Sequence, residues 1–147
     1  MSEFNNYRLI LEELDATLSQ VDNTEYERFA NDVIGADRIF TAGKGRSGFV
    51  ANSFAMRLNQ LGKNAYVVGE STTPSIKEHD LFIIISGSGS TEQLHAGTKH
   101  DVEGSKQPLG SLFEQASLIF LDSIVLPLMD AFHISEKAMQ ENHANLE

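Results

Sequence analysis

The sequence predicts an α/β protein built on a parallel sheet, and three observations lead to this fold class. Five consecutive apolar residues, Leu81 to Ile85, are followed at once by a loop of only Ser, Gly and Thr, residues 86–91. A second glycine-rich turn, residues 42–48, also lies between a predicted strand and a predicted helix. The resulting order of strand, helix, strand, loop and strand is typical of right-handed parallel units.

Composition limits the possible classes of function. A chain of 147 residues fits one domain, and its net charge of −10 argues against nucleic acid or an anionic membrane surface as a partner. The absence of Cys excludes disulfides, thiolate metal sites and a cysteine nucleophile. There is no basic-then-apolar leader and no run of about eighteen apolar residues, so we expect a cytoplasmic protein without a membrane partner.

Two helices are predicted in residues 1–35. From Tyr7 to Val21, apolar residues recur at the three- and four-residue spacing of an amphipathic helix. Thr24 and Glu27 then match a capping box that begins the second helix, and Gly35 ends it.

Residues 36–94 form the predicted sheet core. Strands are expected at residues 38–41, 65–68 and 81–85, with a helix between the first two that ends at Gly62. Because the last strand is apolar throughout, we expect it to be buried on both faces. The loops at residues 42–48 and 86–91 should share the carboxyl edge of the sheet, where open α/β folds bind ligands. Their small residues, hydroxyl groups and free N–H groups suit a phosphate; the alternative is a flexible surface loop.

The pattern is interrupted after Thr91. Only Glu92, Gln93 and Leu94 precede the next Gly-containing segment, which is too short for a stable helix. The strand at residues 81–85 also lacks a second neighbour in the later sequence. We therefore infer that one helix and one or two strands are absent between Gln93 and Thr98.

The C-terminal part, residues 98–147, is dominated by an apolar helix from Gly110 to Met129. Acidic residues punctuate it, so a membrane span is not expected, and Pro127 should kink it. A helix that is apolar on nearly every side must be covered on nearly every side, which predicts a subunit interface. Ser135 should cap a final helix.

Seven short segments now match one family pattern: residues 45–48, 54–58, 66–70, 73–75, 86–89, 108–115 and 143–147. Together they resemble the sugar isomerase (SIS) domain, and more narrowly the 6-phospho-3-hexuloisomerase family. The resemblance implies a flavodoxin-like three-layer sandwich that forms a homo-oligomer, a tetramer with active sites between subunits. The whole chain would be one SIS domain. A departure is Gln60, where the family has histidine.

The resemblance implies interconversion of 3-hexulose 6-phosphate and fructose 6-phosphate through a cis-enediol, in the ribulose monophosphate pathway, with no metal or organic cofactor. It places the phosphorylated sugar on Gly45, Arg46, Ser47, Ser86, Ser88 and Thr91. Three alternatives remain: an SIS module that binds a phosphosugar without converting it, an isomerase for another phosphosugar, and a structural assembly domain that uses the apolar helix from Gly110 to Met129.

Glu114 and His143 are the candidate catalytic residues. A carboxylate near the start of an apolar helix is poorly solvated, which suits a general base, although Glu114 could instead be a favourable first-turn charge. An imidazole exchanges protons near neutral pH, so His143 could handle ring opening, from this subunit or a neighbouring one; the alternative is a helix-end charge. Arg46 could bind phosphate or pair with a surface carboxylate. The other histidines show no metal-ligand spacing.

Overall fold

A computed structural model describes residues 3–87 and 105–143, which form a parallel sheet with flanking helices. The three strands have the order β2-β1-β3. In chain order the elements are α1 (Asn6–Leu18), α2 (Asn23–Gly35), β1 (Arg38–Gly43), α3 (Arg46–Gln60), β2 (Asn64–Val67), β3 (Leu81–Ile85), α4 (Ser111–Phe132) and α5 (Glu136–Glu141). The predicted α/β class is confirmed.

Strand register brings the two predicted loops to one edge of the sheet. Strand β1 pairs in parallel with both neighbours, and Gly43 at its carboxyl end is opposite Ile85 at the carboxyl end of β3. The turn after Gly43 and the loop that begins at Ser86 therefore leave adjacent strands on the same side. This arrangement is what a shared ligand site at the sheet edge requires.

The main core lies on one face of the sheet. Ile39 and Ile83 point to this face, where they join buried residues of α2, α3, α4 and α5 in one cluster. Leu58 of α3 and Ile124 of α4 are completely buried there. Burial of large aliphatic side chains of this kind, at about 1.5–3 kcal/mol each, fixes α3 against the sheet.

The opposite face is covered less completely, contrary to the prediction for residues 81–85. Only Ile83 and Ile85 of β3 are buried, whereas Phe82 is 38% exposed. Phe40 of β1 lies on the same face as Phe82 and packs its ring 5.3 Å from that of Tyr66. Within the described residues, β3 pairs with β1 alone, so one of its edges has no strand beside it. The predicted break between Gln93 and Thr98 lies outside the described residues.

Helix ends show one correction and one confirmation. Helix α2 is capped by Asp22, not by Thr24: the Asp22 carboxylate accepts hydrogen bonds from the N–H groups of Thr24 (2.7 Å) and Glu25 (3.1 Å). Thr24 lies inside the helix because this carboxylate satisfies the first free N–H groups. Ser135 caps α5 as predicted, accepting from the Ala138 N–H at 3.2 Å.

Helix α4 is the most apolar of the long helices among the described residues. Its length and its mean hydropathy of 1.5 would allow it to cross a bilayer, although core helices meet the same criterion. Here α4 continues through Pro127 and packs against α1, α2 and α3. Leu118, Ile119 and Leu126 remain exposed on its outer side.

Candidate active site

The first wall of the site is the tight turn between β1 and α3. A Cβ atom on Gly43 would lie 2.6 Å from the Ser47 carbonyl oxygen, and one on Gly48 would lie 2.8 Å from the Gly43 carbonyl oxygen. Gly45, which precedes α3, has a positive φ of 57°. Gly43 and Gly48 need glycine because the chain passes so close to itself, and Gly45 favours glycine because of its positive φ. The turn presents the first N–H groups of α3, together with Ser47, at the sheet edge, a favourable environment for an anion.

The second wall is the end of β3, which lies directly against α4. Ser86 is buried, and a Cβ atom on the following Gly87 would approach Cδ1 of Phe113 to 2.9 Å. Phe113 belongs to the first turn of α4, so the exit of β3 and the start of α4 are in contact. The other two hydroxyl residues predicted for this loop, Ser88 and Thr91, lie outside the described residues.

The start of α4 has an unusual backbone. Leu109 and Gly110 both have positive φ, 54° and 76°, and Leu109 is 97% exposed. The Ser111 hydroxyl donates to the Pro108 carbonyl at 2.7 Å, which closes the turn. This turn sets the position of the first residues of α4, including Glu114, at the sheet edge.

An ion pair joins the two helix starts. Nε of Arg46 lies 2.7 Å from Oε2 of Glu114, and Nη1 of Arg46 donates a long hydrogen bond of 3.4 Å to Ser111. The Glu114 side chain is only 13% exposed, whereas that of Arg46 is 63% exposed. The structure thus brings together Gly45, Arg46, Ser47, Ser86 and Glu114 around one edge. Ser111 was not predicted to be part of the site. The family-like segment 108–115, which contains Ser111, is the sequence signal that could have indicated it.

His143 is placed elsewhere in the same chain. Its neighbour Asn142 donates a hydrogen bond of 3.0 Å to the carbonyl oxygen of Gln60, the last residue of α3. Arg46 is the first residue of that helix, and a helix of 15 residues is about 21 Å long. One chain therefore does not bring His143 to Glu114. Gln60 is at the His143 end and is buried, accepting from Arg57 at 2.7 Å.

The described residues offer no obvious metal site. Within residues 3–87 and 105–143, no three His, Asp or Glu side chains are grouped closely enough to hold an ion. Among the described residues, this edge presents N–H groups, hydroxyl groups, the Arg46 guanidinium, the Lys44 ammonium and the Glu114 carboxylate.

A parallel sheet with small-residue loops at its carboxyl edge, and an arginine–carboxylate pair between the two helix starts there, defines an α/β domain with a sheet edge suited to an anionic ligand. Residues 32–109 match the family model of the SIS domain. The chain belongs to the SIS domain family.

Several relatives share nearly the whole chain. It is 38% identical to the 3-hexulose-6-phosphate isomerase of Bacillus subtilis, over 94% of this chain and 95% of that protein. It is 33% identical to the 3-hexulose-6-phosphate isomerase of Methylomonas aminofaciens, over 97% and 99%. A crystal structure from Methanococcus jannaschii, from which the same molecular function was inferred, superimposes with a TM-score of 0.80 at 32% identity, covering 96% of both chains.

These alignments also bear on the predicted internal break. The alignment with the Bacillus subtilis protein spans 176 residues, and that with the Methylomonas aminofaciens protein spans 180, although this chain has only 147. The relatives therefore contain residues that have no counterpart here. This agrees with an absent segment, and its position between Gln93 and Thr98 stays a prediction.

Proposed function

We propose that this protein is a sugar-phosphate isomerase that interconverts 3-hexulose 6-phosphate and fructose 6-phosphate. The observation that carries the proposal is the meeting of three features at one edge: the α3 turn, the end of β3 and the buried Glu114 carboxylate. The family membership and the activity named for the relatives from Bacillus subtilis and Methylomonas aminofaciens support the same reaction.

The reaction moves a carbonyl group from C3 to C2 of the sugar. A base removes the proton from C2, which gives a cis-enediol across C2 and C3, and the same base returns a proton to C3. The hydroxyl proton leaves O2 and a proton is added to O3, so no net proton is consumed. Glu114 acts as this base, since its side chain is only 13% exposed and lies against Arg46 at the start of α3, while the preceding Phe113 lies against the end of β3.

The phosphoryl group binds at the α3 turn. Gly45, Arg46 and Ser47 supply N–H groups, a guanidinium and a hydroxyl, and Ser86 adds to the wall formed by β3. The helix N-terminus favours a dianion there even though the whole chain carries a charge of −10. Ser88 and Thr91, which lie outside the described residues, are proposed as further phosphate-binding residues from the sequence alone.

A second copy of the chain supplies His143 to the site. In one chain the imidazole is near the far end of α3, so an active site that uses both groups must lie between subunits. Exposed apolar residues support such an assembly: Phe49 and Met56, two turns apart on α3, are 72% and 51% exposed. Phe49 is one turn from Arg46, so a partner seated on this face reaches the site. We propose a homo-oligomer, and a tetramer as its form, to be measured by light scattering.

The test is direct conversion. Purified protein is mixed with 3-hexulose 6-phosphate, and fructose 6-phosphate is measured with a coupled dehydrogenase. Glu114→Gln should lower kcat by about a hundredfold or more, the usual contribution of a general base, while binding of the phosphosugar persists. Normal turnover by Glu114→Gln would show that another group is the base.

A second candidate function is binding without conversion. One observation favours it: a single chain contains the loops and Arg46 but not His143 within reach of Glu114. Under this reading, fructose 6-phosphate raises the melting temperature of the protein while no isomerisation is detected at any protein concentration. Turnover that rises with the fraction of oligomer would instead support the isomerase.

A further inference from the structure

The Arg46 guanidinium contacts α4 through two of its three nitrogen atoms. Its Nε lies beside Glu114 and its Nη1 reaches Ser111, yet 63% of the side chain is exposed. A guanidinium has five N–H donors in a rigid planar fork, so these two contacts leave three donors, including both on Nη2, without a partner among the described residues. Arg46 is the first residue of α3, so the turn where an anion would be held carries these donors.

Glu114 depends on this contact. Its Oε2 atom is buried and accepts no hydrogen bond, and Arg46 provides its ion pair within the described part of the chain. A buried carboxylate without a counter-charge is strongly disfavoured. The position of the Glu114 carboxylate is therefore set by where the Arg46 guanidinium lies.

We propose that Arg46 is a positioning residue that couples the phosphoryl group of the substrate to Glu114: the bound phosphoryl group immobilises the exposed guanidinium, which in turn fixes the carboxylate. The inference rests on the proposed function for its catalytic consequence. The phosphoryl group then contributes to kcat, because binding energy from a remote part of the substrate is used to orient the reacting group.

The catalytic consequence is tested with a substrate in two pieces. Unphosphorylated 3-hexulose is supplied with and without phosphite dianion, which mimics the missing phosphoryl group. We expect phosphite to accelerate turnover by the unaltered protein about tenfold or more, and to have less than about a twofold effect in Arg46→Met. Arg46→Lys should recover part of the acceleration, since it keeps the charge but loses the fork. Equal acceleration in the unaltered protein and Arg46→Met would overturn the proposal.

A binding experiment tests the coupling independently of any turnover. Affinity for inorganic phosphate is measured by calorimetry for the unaltered protein, Arg46→Met, Glu114→Gln and the double variant. Glu114→Gln changes the phosphate affinity by one factor when Arg46 is present and by another when Arg46 is replaced by Met. If Glu114 acts on phosphate through Arg46, these two factors should differ about fivefold or more. A coupling of this size is usual for residues in contact. Simple repulsion between Glu114 and the anion would give the same factor with and without Arg46, and that result would overturn the proposal.

Lys44→Met is the matched control. Lys44 is an exposed cation in the same turn, but it has no contact with Glu114 among the described residues. Its removal should lower phosphate affinity through charge alone and leave the effect of Glu114→Gln unchanged. Coupling as large through Lys44 as through Arg46 would show that the effect is not specific to the ion pair. Absence of isomerase activity with coupling intact would refute the proposed function and not this inference.

Discussion

Single polar atoms in the core of this protein are not all satisfied, and Thr41 in β1 is the clearest case. The residue is completely buried, and its hydroxyl oxygen has no hydrogen-bond partner among the described residues. Thr41→Val replaces the hydroxyl by a methyl group of nearly the same size. We expect the variant to be as stable as the parent or more stable by about 1 kcal/mol, because no hydrogen bond is lost and an unsatisfied polar group is removed. Urea unfolding measures the difference.

Thr41→Ser is the matched control for this prediction. It keeps the hydroxyl and removes the methyl group, so it should lower the free energy of unfolding by about 1 kcal/mol. A Val variant that is less stable than the Ser variant would show that the hydroxyl has a partner in solution, such as a buried water.

Gly87 tests how closely the end of β3 must approach α4. In Gly87→Ala the new methyl group would lie 2.9 Å from Phe113, so the aromatic ring must move. We expect a loss of about 1–3 kcal/mol in unfolding free energy and a fall in isomerase activity, since Phe113 precedes Glu114. Gly35→Ala is the control, because no atom lies within 4 Å of its added Cβ. If Gly87→Ala and Gly35→Ala change the free energy of unfolding equally, Phe113 does not pack closely enough against Gly87 to exclude a methyl group.

Which site residues could be predicted from sequence depends on how local their signals are. Gly45, Ser47 and Ser86 follow strands directly, so strand order alone places them at one edge. The pairing of Arg46 with Glu114 joins residues far apart in the sequence, and no local pattern indicates it. The separation of Glu114 from His143 likewise depends on α5 packing at the far end of α3, a tertiary contact made through Asn142.

At the scale of elements, the loop from β2 to β3 is held by one buried carboxylate. Arg38 donates from Nε to Asp80 at 2.9 Å and from Nη2 to the Ser75 carbonyl at 2.9 Å, and the Lys77 N–H donates to Asp80 at 2.7 Å. Arg38 also makes a second contact with the Asp80 carboxylate through Nη2. These donors, the Arg38 hydrogen bond first, lower the pKa of Asp80 below its usual 3.8.

This contact gives a pH dependence with a definite sign. A carboxyl group whose pKa is lower in the folded than in the unfolded state stabilises the fold fully above the unfolded value, and the contribution is lost as pH falls through the folded value. Asp80→Asn should therefore lower the melting temperature at about pH 6, and the difference from the parent should shrink steadily below about pH 4. Melting curves across this range measure it.

The second acid-sensitive contact needs its own control. Glu13 of α1 accepts hydrogen bonds from Gln107, the Lys106 N–H and Ser105, and these lower its pKa from 4.5. Melting curves of Glu13→Gln over the same pH range show how much of the stability lost at low pH comes from this contact. A difference in melting temperature between Asp80→Asn and the parent that stays constant with pH would show that the Arg38 contact does not stabilise the ionised form of Asp80.

Helices could be located from the sequence where apolar residues recur at regular spacing. The first residue of a helix was harder to predict where a capping side chain determines it. The apolar spacing located α1, α3 and α4, but the start of α2 is fixed by the Asp22 carboxylate and not by the capping box two residues later. Both patterns satisfy free N–H groups at the start of a helix, so the sequence alone does not rank them.

At the scale of the whole molecule, the exposed side of β3 departs from the two-sided burial that its apolar sequence predicts. Phe82 is 38% exposed, and within residues 3–87 and 105–143 the outer edge of β3 has no partner strand. The longer relatives contain residues that this chain lacks. We infer that a helix and a strand are absent after β3 and would otherwise cover this face and pair this edge.

Insertion of the unmatched segment of the Bacillus subtilis relative between Gln93 and Thr98 should therefore stabilise the protein. Pairing the β3 edge and covering Phe82 are expected to contribute about 2 kcal/mol or more, which corresponds to a rise of about 5 °C or more in melting temperature. The control is a Gly/Ser insertion of equal length, which lengthens the loop without adding contacts and should slightly lower the melting temperature. The free edge also favours edge-to-edge association, so the natural insertion, and not the Gly/Ser insertion, should reduce aggregation on heating. Equal melting temperatures for the two insertions would show that the missing elements do not belong beside β3.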